Sequence, residues 1–584
     1  MRLFKLWLLY HWNSWMIAAP VYYRLSWESP PRYTYIVEIE ASPSRGGYTD
    51  FALPAWRPGR YIIQNYAGAV SHFEAFDAEG GALPWRKVSK DVWRVQNPSR
   101  GPIRVRYRFF AKQIDAGSSY LSEGLVYFNP INLFMYLPGR LDEPCELEII
   151  SLPEGWAVAS ALPRVGPRRF KAHSYHHLAD SPFLSGSQLR SEQITCGEAT
   201  LYAHFWGQVG AQRLSGFMEK LCKIVQVQTQ IWGRLPLREY HFIYLLVPFQ
   251  MRHAVEHEYS AMFVLPEEGA ASEEALNSFL GISAHEFFHV WNVKRLRPAA
   301  LVPYRYDREV YTSLHWLTEG ITDYYTGVTL ARAGFISPQE YWQRLSADLS
   351  QVENAYAYKL FSPAELSIDS WLATSPYRPS AYQGSFYAAG KRVGFLLDMV
   401  LRVQTGGRVT LDSLMRYLYE QYYEKGKGLP EDGVEKAAIR LGGPALRSFF
   451  DKYIWGKERP DYERLLQGLP LQVKKEERLY EGLGRLGIIR TQPNREGGLQ
   501  VEEILPESIA DRMGLEVGDV LLKLGGRAVE DVSPQLWEDF QEGEKVAVEW
   551  KRGGFLMKGD FTYRTSELCR RAVIEIVSEG GFIP

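Results

Sequence analysis

The pattern His-Glu-x-x-His, at residues 285–289, marks the place where this sequence could carry out metal-assisted chemistry. Side chains four positions apart lie above one another on a helix, so the imidazoles of His285 and His289 could both reach one metal ion. Glu286 lies between them, where a carboxylate could take a proton from a metal-activated water. The residue types and their spacing therefore predict a zinc site with hydrolytic chemistry and Glu286 as its base.

A third ligand has to come from elsewhere, because a catalytic zinc ion usually has three protein ligands and one position for water. The best candidate is Glu319, in a segment that reads as a second helix ending near Gly334. Asp323 follows one helical turn later and could accept a hydrogen bond from the far nitrogen of a ligand histidine. We expect one Zn²⁺ per chain, held by His285, His289 and Glu319.

The helix that carries the pattern is predicted from its start signal and its apolar spacing. Ser272 and the two acids after it suit a helix N-terminus. Apolar residues then recur at helical spacing as far as Val290, and Pro298 stops or kinks the run. The pattern is therefore expected late in a largely buried helix, shielded from bulk water.

The run HEFFHVWNVKRLRP, at residues 285–298, closely resembles the glycyl-aminopeptidase family of zinc peptidases, relatives of thermolysin and of the alanyl aminopeptidases. Residues 318–320, Thr-Glu-Gly, resemble the third-ligand signature of that family, with Asp323 at its usual acidic position. Residues 385–390 resemble the segment in which the family has a tyrosine followed three residues later by glycine. The resemblance implies that the Tyr387 hydroxyl points at the scissile carbonyl and stabilises the oxyanion.

The resemblance extends from about Tyr23 to about Tyr563 and includes the turn-like residues 53–59 and 180–182. One segment departs from it. Family members usually have a glycine-rich strand and loop ending in Glu-His, whereas residues 250–257 read QMRHAVEH. The acid is kept as Glu256, and the resemblance implies that it binds the free amino terminus of the substrate. The missing glycines are expected to reshape that pocket.

His253 and His257, in the same segment, are expected to form hydrogen bonds rather than to bind metal. Residues 508–526 closely resemble a PDZ domain, and the loop Gly482, Leu483 and Gly484 is a candidate carboxylate-binding loop. Its backbone amides would receive a peptide C-terminus while the peptide adds a strand to the sheet edge. A PDZ fold used only as a packed structural module is the alternative.

Composition limits the remaining functions. A net charge of -1 over 584 residues gives no electrostatic footprint for nucleic acid. No run of 18 apolar residues predicts a membrane span. Residues 1–19 faintly resemble a signal peptide, but polar residues interrupt them, so a cytoplasmic location is predicted, with export as the alternative. The scattered cysteines Cys145, Cys196, Cys222 and Cys569 are expected to be isolated buried thiols.

The predicted fold is a multidomain α+β protein. Its expected parts are an N-terminal β-sandwich-like domain at 20–190, a catalytic α/β part with the HExxH helix at 191–312, a mostly helical part at 313–466 that carries the third ligand and the tyrosine, a PDZ domain at 472–564 and a C-terminal tail at 565–584. By resemblance, the catalytic parts are thermolysin-like.

The expected function is that of a zinc aminopeptidase that removes small first residues such as Gly or Ala from peptides. Three alternatives stay open: a zinc endopeptidase with the same chemistry, a PDZ-based peptide-binding protein with a silent peptidase core, and a metal-dependent hydrolase of non-peptide amides or esters. The expected partners are a peptide substrate and a peptide C-terminus at the PDZ domain.

Overall fold

A computed structural model describes residues 19–97, 101–531 and 536–584. The chain forms two compact units. The first comprises the described residues within Met1–Gln226, Arg234–Val290 and Pro303–Val310, and the second those within Val227–Gly233, Trp291–Val302 and Tyr311–Pro584. Residues 1–18, on which the predicted location rests, lie outside the described residues. Among the helices that the structure describes, none has the length and apolar character that a membrane crossing needs.

The leading part of the first unit is rich in β-structure, as predicted. Its strands are β1 Val21–Ser26, β2 Thr34–Ala41, β3 Tyr48–Ala52, β4 Val70–Phe76, β5 Trp85–Ser89, β6 Val92–Gln96, β7 Ile103–Phe110, β8 Tyr120–Leu121, β9 Leu125–Phe128, β10 Cys145–Ile149, β11 Val158–Ala159, β12 Arg169–Ala172 and β13 Phe183–Gly186. They form sheets in the orders β12-β10-β1-β2-β7-β4, β11-β13-β9-β8 and β3-β6-β5. Two short helices, α1 Pro130–Leu133 and α2 Tyr175–Ala179, lie between strands. Strand β7 alternates buried and more exposed residues, the pattern of a strand with one face on a core.

The rest of the first unit is a five-stranded sheet with helices. Its elements are β14 Leu189–Cys196, β15 Ala199–Trp206, α3 Ala211–Trp232, β16 Glu239–Val247, β17 His253–Glu256, β18 Ser260–Pro266, α4 Glu273–Asn277 and α5 Phe279–Phe288. The last residues of α3, from Val227 on, belong to the second unit. The sheet order is β14-β15-β16-β18-β17, in which β15, β16 and β18 run parallel and β17 is an antiparallel edge strand. Strand β16 is almost wholly buried, which explains its continuous apolar run.

One prediction about the cysteines is wrong. Cys196, at the end of β14, and Cys222, in α3, form a disulfide with a Cα–Cα distance of 5.6 Å. The two residues are 26 positions apart, and only the packing of α3 brings their side chains together. Cys145 is a buried free thiol, as expected, whereas Cys569 is a free thiol that is only partly buried.

The second unit begins with helices, as predicted for this part of the chain. They are α6 Thr322–Arg332, α7 Pro338–Asn354, α8 Ala357–Leu360, α9 Pro363–Ile368, α10 Phe386–Thr405, α11 Leu411–Gln421, α12 Gly433–Gly442, α13 Leu446–Tyr453 and α14 Tyr462–Leu466. Residues Trp316–Ile321, expected as α-helix, form a π-helical turn directly before α6. Ser337 caps α7 by accepting a hydrogen bond from the Glu340 amide.

The C-terminal part of the second unit is a small β-structure. Its elements are β19 Leu471–Leu479, β20 Ile488–Pro493, β21 Leu499–Ile504, α15 Ile509–Arg512, β22 Val520–Leu524, β23 Arg527–Ala528, α16 Leu536–Asp539, β24 Lys545–Arg552, β25 Phe555–Thr562 and β26 Arg570–Ser578. One sheet has the order β20-β21-β22-β24-β25, and β19 pairs with β26 in a separate ribbon. The predicted tail at 565–584 thus contains a strand, and its Phe582 ring stacks on Trp342 at 6.2 Å.

Helix α7 holds the outer edge of β26 through three polar side chains. Each accepts a hydrogen bond from a strand amide: Ser346 from Ile576, Ser350 from Ile574 and Asn354 from Ala572, at 2.9, 2.9 and 2.7 Å. Four helical residues rise about 6 Å, and two strand residues advance about 6.6 Å. The two spacings match closely enough for side chains on one helix face to satisfy alternate amides of an edge strand.

Candidate active site

The HExxH residues lie at the end of α5. Ser272 caps the preceding helix α4, since its Oγ accepts a hydrogen bond from the Ala275 amide at 3.0 Å. His289 continues the helical backbone one residue past α5, with φ -64° and ψ -14°. The rings of His285 and His289 lie 4.8 Å apart between centroids. Glu286 and His289 are buried, so the segment is shielded as its sequence predicts.

Strand β16 positions this helix. Alternate residues of a strand share a face, and Tyr240, Phe242 and Tyr244 of β16 all contact α5. The Phe287 ring packs edge-on against Tyr240 at 4.8 Å and lies 5.8 Å from Phe242. The Tyr244 hydroxyl lies 2.8 Å from Ser283 Oγ. Apolar packing and one buried hydrogen bond therefore fix the helix on the sheet.

Glu256 is the last residue of the edge strand β17. It pairs with Ala261 of β18, and Ala261 pairs with Phe242 of β16, so Glu256 shares the face of the sheet that packs on α5. Ligand-type atoms of Glu256, Glu286 and His289 all lie within 4.8 Å of one another. Glu256 is 5% exposed, and its Oε1 has no hydrogen-bond partner among the described residues.

A tight turn from the β-rich part lies against Glu256. The Arg60 amide donates to the Arg57 carbonyl at 3.2 Å, and Pro58 and Gly59 form the tip of the turn. Gly59 has φ +78°, and a Cβ atom there would lie 2.8 Å from Glu256 Oε1 and closer still to Oε2. The tip therefore requires glycine both for its backbone and for its closeness to the carboxylate. The turn is recognisable in the sequence, but its contact with Glu256 is not.

The neighbouring histidines form hydrogen bonds, as expected. His253 Nδ1 accepts from the Ala116 amide at 3.1 Å. Burial, helped by the charge of Arg57, lowers the pKa of His253 to about 4, so it is neutral at pH 7. His257 Nδ1 lies 3.0 Å from Asp180 Oδ1.

Glu319 and Asp323 lie in the second unit. Glu319 is buried in the π-helical turn, and Asp323 lies in the first turn of α6. Asn292 holds this region, since its Nδ2 donates to the Leu317 carbonyl at 2.9 Å and to Thr322 Oγ1 at 3.1 Å. Single π-helical turns are frequent at functional sites because they redirect a side chain. The sequence offered no signal for the change from α to π.

Tyr387 lies at the start of α10 in the second unit. Ser385 caps this helix, with its Oγ accepting from the Tyr387 amide at 3.2 Å. The Tyr387 ring stacks on Phe386 at 4.8 Å, and Phe386 in turn packs on His315 at 5.5 Å. Burial lowers the pKa of His315 to about 4, although the negative charge of Glu319 acts to raise it.

Within the first unit, the side chains of Glu256, Glu286 and His289 form a group that could hold a metal ion. The predicted ligand set of His285, His289 and Glu319 stays a prediction. Two imidazoles and one carboxylate are a ligand set that catalytic zinc takes, and it leaves a position for water. The donor chemistry therefore fits zinc.

The candidate carboxylate loop of the C-terminal part is folded more tightly than expected. Residues Gly482–Leu486 form a short 3-10 helix, and Gly482 has φ +49°. The Gly484 amide already donates to the Glu481 carbonyl at 3.0 Å. Of the loop Gly482, Leu483 and Gly484, this amide is thus engaged within the fold, and a role in binding a peptide stays a prediction.

Comparisons with known proteins identify three domains in the chain. Residues 22–187 match the Peptidase M61 N-terminal domain, residues 278–393 match the M61 glycyl aminopeptidase, and residues 475–546 match the PDZ domain. No curated protein matches. An aminopeptidase N family protein from Idiomarina loihiensis has a similar structure, with a TM-score of 0.85 and 26% identity, covering 95% of this chain and 98% of that one.

An M1 zinc metallopeptidase from Deinococcus radiodurans has 14% identity and a TM-score of 0.48, covering 76% of this chain and 94% of that one. The family matches and the HExxH helix define this protein as a metallopeptidase. It has an M61 N-terminal domain, an M61 glycyl aminopeptidase domain and a C-terminal PDZ domain. The resemblance seen in the sequence is confirmed.

Proposed function

We propose that this metallopeptidase is an aminopeptidase that removes small first residues, such as Gly or Ala, from peptides with a free amino terminus. The proposal rests on the burial of the Glu256 carboxylate, whose Oε1 has no hydrogen-bond partner among the described residues. A buried charge is costly unless it is paired. The ammonium group of a substrate would form an ion pair with this carboxylate. Ligand-type atoms of Glu256 and Glu286 lie within 4.8 Å of each other, so the paired ammonium group would lie close to the base.

The turn at Gly59 limits the space beside the Glu256 carboxylate. The tip of the turn leaves no room for a Cβ atom beside Glu256, so it encloses the Glu256 carboxylate on that side. One charge-assisted hydrogen bond contributes roughly 1.5–3 kcal/mol. That contribution is large enough to favour free amino termini over internal peptide bonds, which distinguishes this proposal from the endopeptidase alternative.

The proposed mechanism assigns a role to each predicted residue. His285, His289 and Glu319 would hold zinc, with Asp323 accepting a hydrogen bond from one ligand imidazole. When bound, zinc supplies Lewis acidity and lowers the pKa of water at the site. Glu286 accepts the proton of the attacking water and passes it to the leaving amine.

Tyr387 and Glu256 act on the substrate itself. The Tyr387 hydroxyl donates a hydrogen bond to the oxygen of the scissile carbonyl, whose negative charge grows during attack. Glu256 holds the ammonium group, so the first peptide bond is the one presented to Glu286. Ligand-type atoms of these two carboxylates lie within 4.8 Å of each other, close enough for removal of a single residue.

The test is amino-acid release from short peptides, each offered with a free and an acetylated amino terminus, with and without a chelator. Cleavage restricted to free termini and abolished by the chelator is the expected result. Equal cleavage of both peptide forms would establish the endopeptidase instead. If zinc-loaded protein cleaves none of the peptides, two alternatives remain. One is a hydrolase of non-peptide amides or esters, and the other is a peptide-binding PDZ protein with a silent peptidase core.

Where the protein works is a separate proposal. The disulfide between Cys196 and Cys222 favours export over the cytoplasmic location predicted from residues 1–19, because such bonds persist in oxidising compartments. Fractionation of the native host, with the thiol state of the pair determined by mass spectrometry, tests this. A reduced pair in a cytoplasmic fraction would restore the cytoplasmic prediction.

A further inference from the structure

Tyr358, in the short helix α8, contacts the residue that caps α10. Its hydroxyl accepts a hydrogen bond from the Ser385 amide at 3.2 Å and donates one to the Ser385 carbonyl at 3.3 Å. Ser385 has an extended backbone, with φ -105° and ψ 123°. In that conformation the amide and the carbonyl of one residue point to the same side of the chain, so a single hydroxyl can engage both.

Ser385 carries this constraint to Tyr387. Its Oγ accepts a hydrogen bond from the Tyr387 amide at 3.2 Å, and its carbonyl also accepts one from the Ala389 amide at 3.0 Å. The bond to Oγ satisfies one of the amides that a helix leaves unpaired at its N-terminus. The backbone of Tyr387 is therefore held by Ser385, and Ser385 is held by Tyr358.

A second contact joins Tyr358 to the same helix. The guanidinium group of Arg392, on α10, lies over the Tyr358 ring at 5.8 Å from its centroid, within the range of a cation–π interaction. Arg392 Nη1 donates to Oε1 of the buried Glu353 at 3.4 Å, and the Tyr462 hydroxyl donates to the same oxygen at 3.1 Å. Tyr358 thus contacts α10 at its cap and two turns further on, and Tyr387 lies between these two points along the chain.

We propose that Tyr358 is a positioning residue for the Tyr387 hydroxyl and acts through Ser385. Its two hydrogen bonds fix the start of α10, the helix turn from which the Tyr387 side chain extends. A donor that is already in place needs no reorganisation when negative charge develops on the substrate oxygen. This role rests on the proposed function, in which Tyr387 stabilises the oxyanion.

The first measurement is the hydrolysis of glycyl-p-nitroanilide by zinc-loaded protein. An interaction that forms only in the transition state contributes to kcat and not to KM. We therefore expect Y358F to lower kcat about 10-fold and to leave KM unchanged. The fall should be smaller than the loss of about 10²–10³-fold in Y387F, which removes the donor itself.

Tyr356 supplies a matched control. It lies two residues before Tyr358, and its hydroxyl donates to Glu507 Oε1 at 3.3 Å instead of to the cap of α10. Y356F removes the same kind of group from the same short segment, so it should leave both kcat and KM unchanged. An equal fall of kcat in Y356F and Y358F would overturn the specific role of Tyr358.

A double-variant cycle separates positioning from general support of the fold. Once the Tyr387 hydroxyl is absent, its position no longer matters, so adding Y358F to Y387F should lower kcat by less than about 2-fold. A side chain that only supports the fold would lower kcat by the same factor in both backgrounds. That result, or an unchanged kcat in Y358F alone, would overturn the proposal.

Hydrogen exchange tests the same contact without catalysis. In metal-free protein, the Ser385 and Tyr387 amides should exchange about 2- to 10-fold faster in Y358F than in the wild type, and at the wild-type rate in Y356F. Unchanged exchange in Y358F would contradict the proposal. If Y358F does not fold, as judged by its melting temperature, S385A replaces it, with the same expected loss of kcat and the same cancellation in the Y387F background.

The outcomes distinguish this inference from the proposed function. If the wild type cleaves an acetylated peptide but not glycyl-p-nitroanilide, the aminopeptidase proposal fails, and the same cycle on that peptide decides the role of Tyr358. If Y387F keeps the wild-type kcat, the oxyanion role of Tyr387 fails and that of Tyr358 fails with it. A loss in Y387F without a loss in Y358F overturns the role of Tyr358 alone.

Discussion

Gly390 of α10 and Gly320 of the π-helical turn meet backbone to backbone. A Cβ atom on Gly390 would lie 2.7 Å from the Cα of Gly320 and would collide with the Trp316 carbonyl oxygen. Tyr387 precedes the first glycine by three residues, and Glu319 directly precedes the second. The glycine pair therefore fixes the distance between the segments that carry the predicted oxyanion donor and the predicted third ligand.

Replacing Gly390 by alanine should separate these two segments. Because the added methyl group meets backbone atoms rather than flexible side chains, we expect a loss of about 1–3 kcal/mol in the free energy of unfolding. We also expect a fall in kcat through displacement of Tyr387. Urea unfolding and steady-state kinetics measure the two effects. G216A is the control, since a Cβ on Gly216 of α3 meets nothing within 4 Å and alanine favours a helix.

Replacing Glu286 by glutamine should abolish turnover and keep the metal. The amide preserves the shape of the side chain but cannot accept the proton of the attacking water. We expect kcat to fall by about 10²–10⁴-fold, with zinc content and melting temperature close to those of the wild type. Near-normal activity in the E286Q protein would rule out Glu286 as the base.

The contact of α7 with β26 should hold the PDZ domain as a fixed part of the second unit. S350A removes the acceptor of the Ile574 amide, and N354A removes both the acceptor and the donor that pair with Ala572. Because partly buried strand groups lose their partners, we expect each change to cost about 1–3 kcal/mol of unfolding free energy. Limited proteolysis near residue 470 should become faster in the double variant S350A/N354A. Equal cleavage rates in the variant and the wild type would show that these bonds do not hold the domain.

Much of this fold could be predicted because its local signals agree with its final structure. Ser272 predicted a helix start, and it caps α4 in the structure. The alternating runs of the leading part became strands, and the resemblances to the peptidase family and the PDZ domain are confirmed. Each of these signals depends on a few consecutive residues, which a sequence displays directly.

The features that the sequence did not reveal depend on contacts between distant residues. The Cys196–Cys222 disulfide, the contact of Gly59 with Glu256 and the Asp180–His257 pair all form through tertiary packing. A cysteine or a glycine looks the same in a sequence whether or not it meets a distant partner. The assignment of His285, His289 and Glu319 as zinc ligands stays a prediction that the family supports.

The buried pair of His204 and His241 should make the protein sensitive to acid. His204 Nε2 lies 3.0 Å from His241 Nδ1, and Ser191 Oγ lies 2.7 Å from His204 Nδ1. Burial lowers the pKa of His204 to about 3, with help from His241, and lowers that of His241 to about 4. Both values lie below the 6.5 of an unfolded histidine, so the unfolded chain binds protons first as pH falls.

The stability from this pair is therefore fully present above about pH 6.5 and decreases toward pH 4, by about 1.4 kcal/mol per pH unit for each histidine. We expect urea unfolding at pH 7, 6 and 5 to show this decrease. The double variant H204Q/H241Q should lose stability less steeply than the wild type over the same range, because glutamine does not titrate. Parallel slopes for the two proteins would mean that the pair is not neutral in the folded state or that other groups control the acid sensitivity.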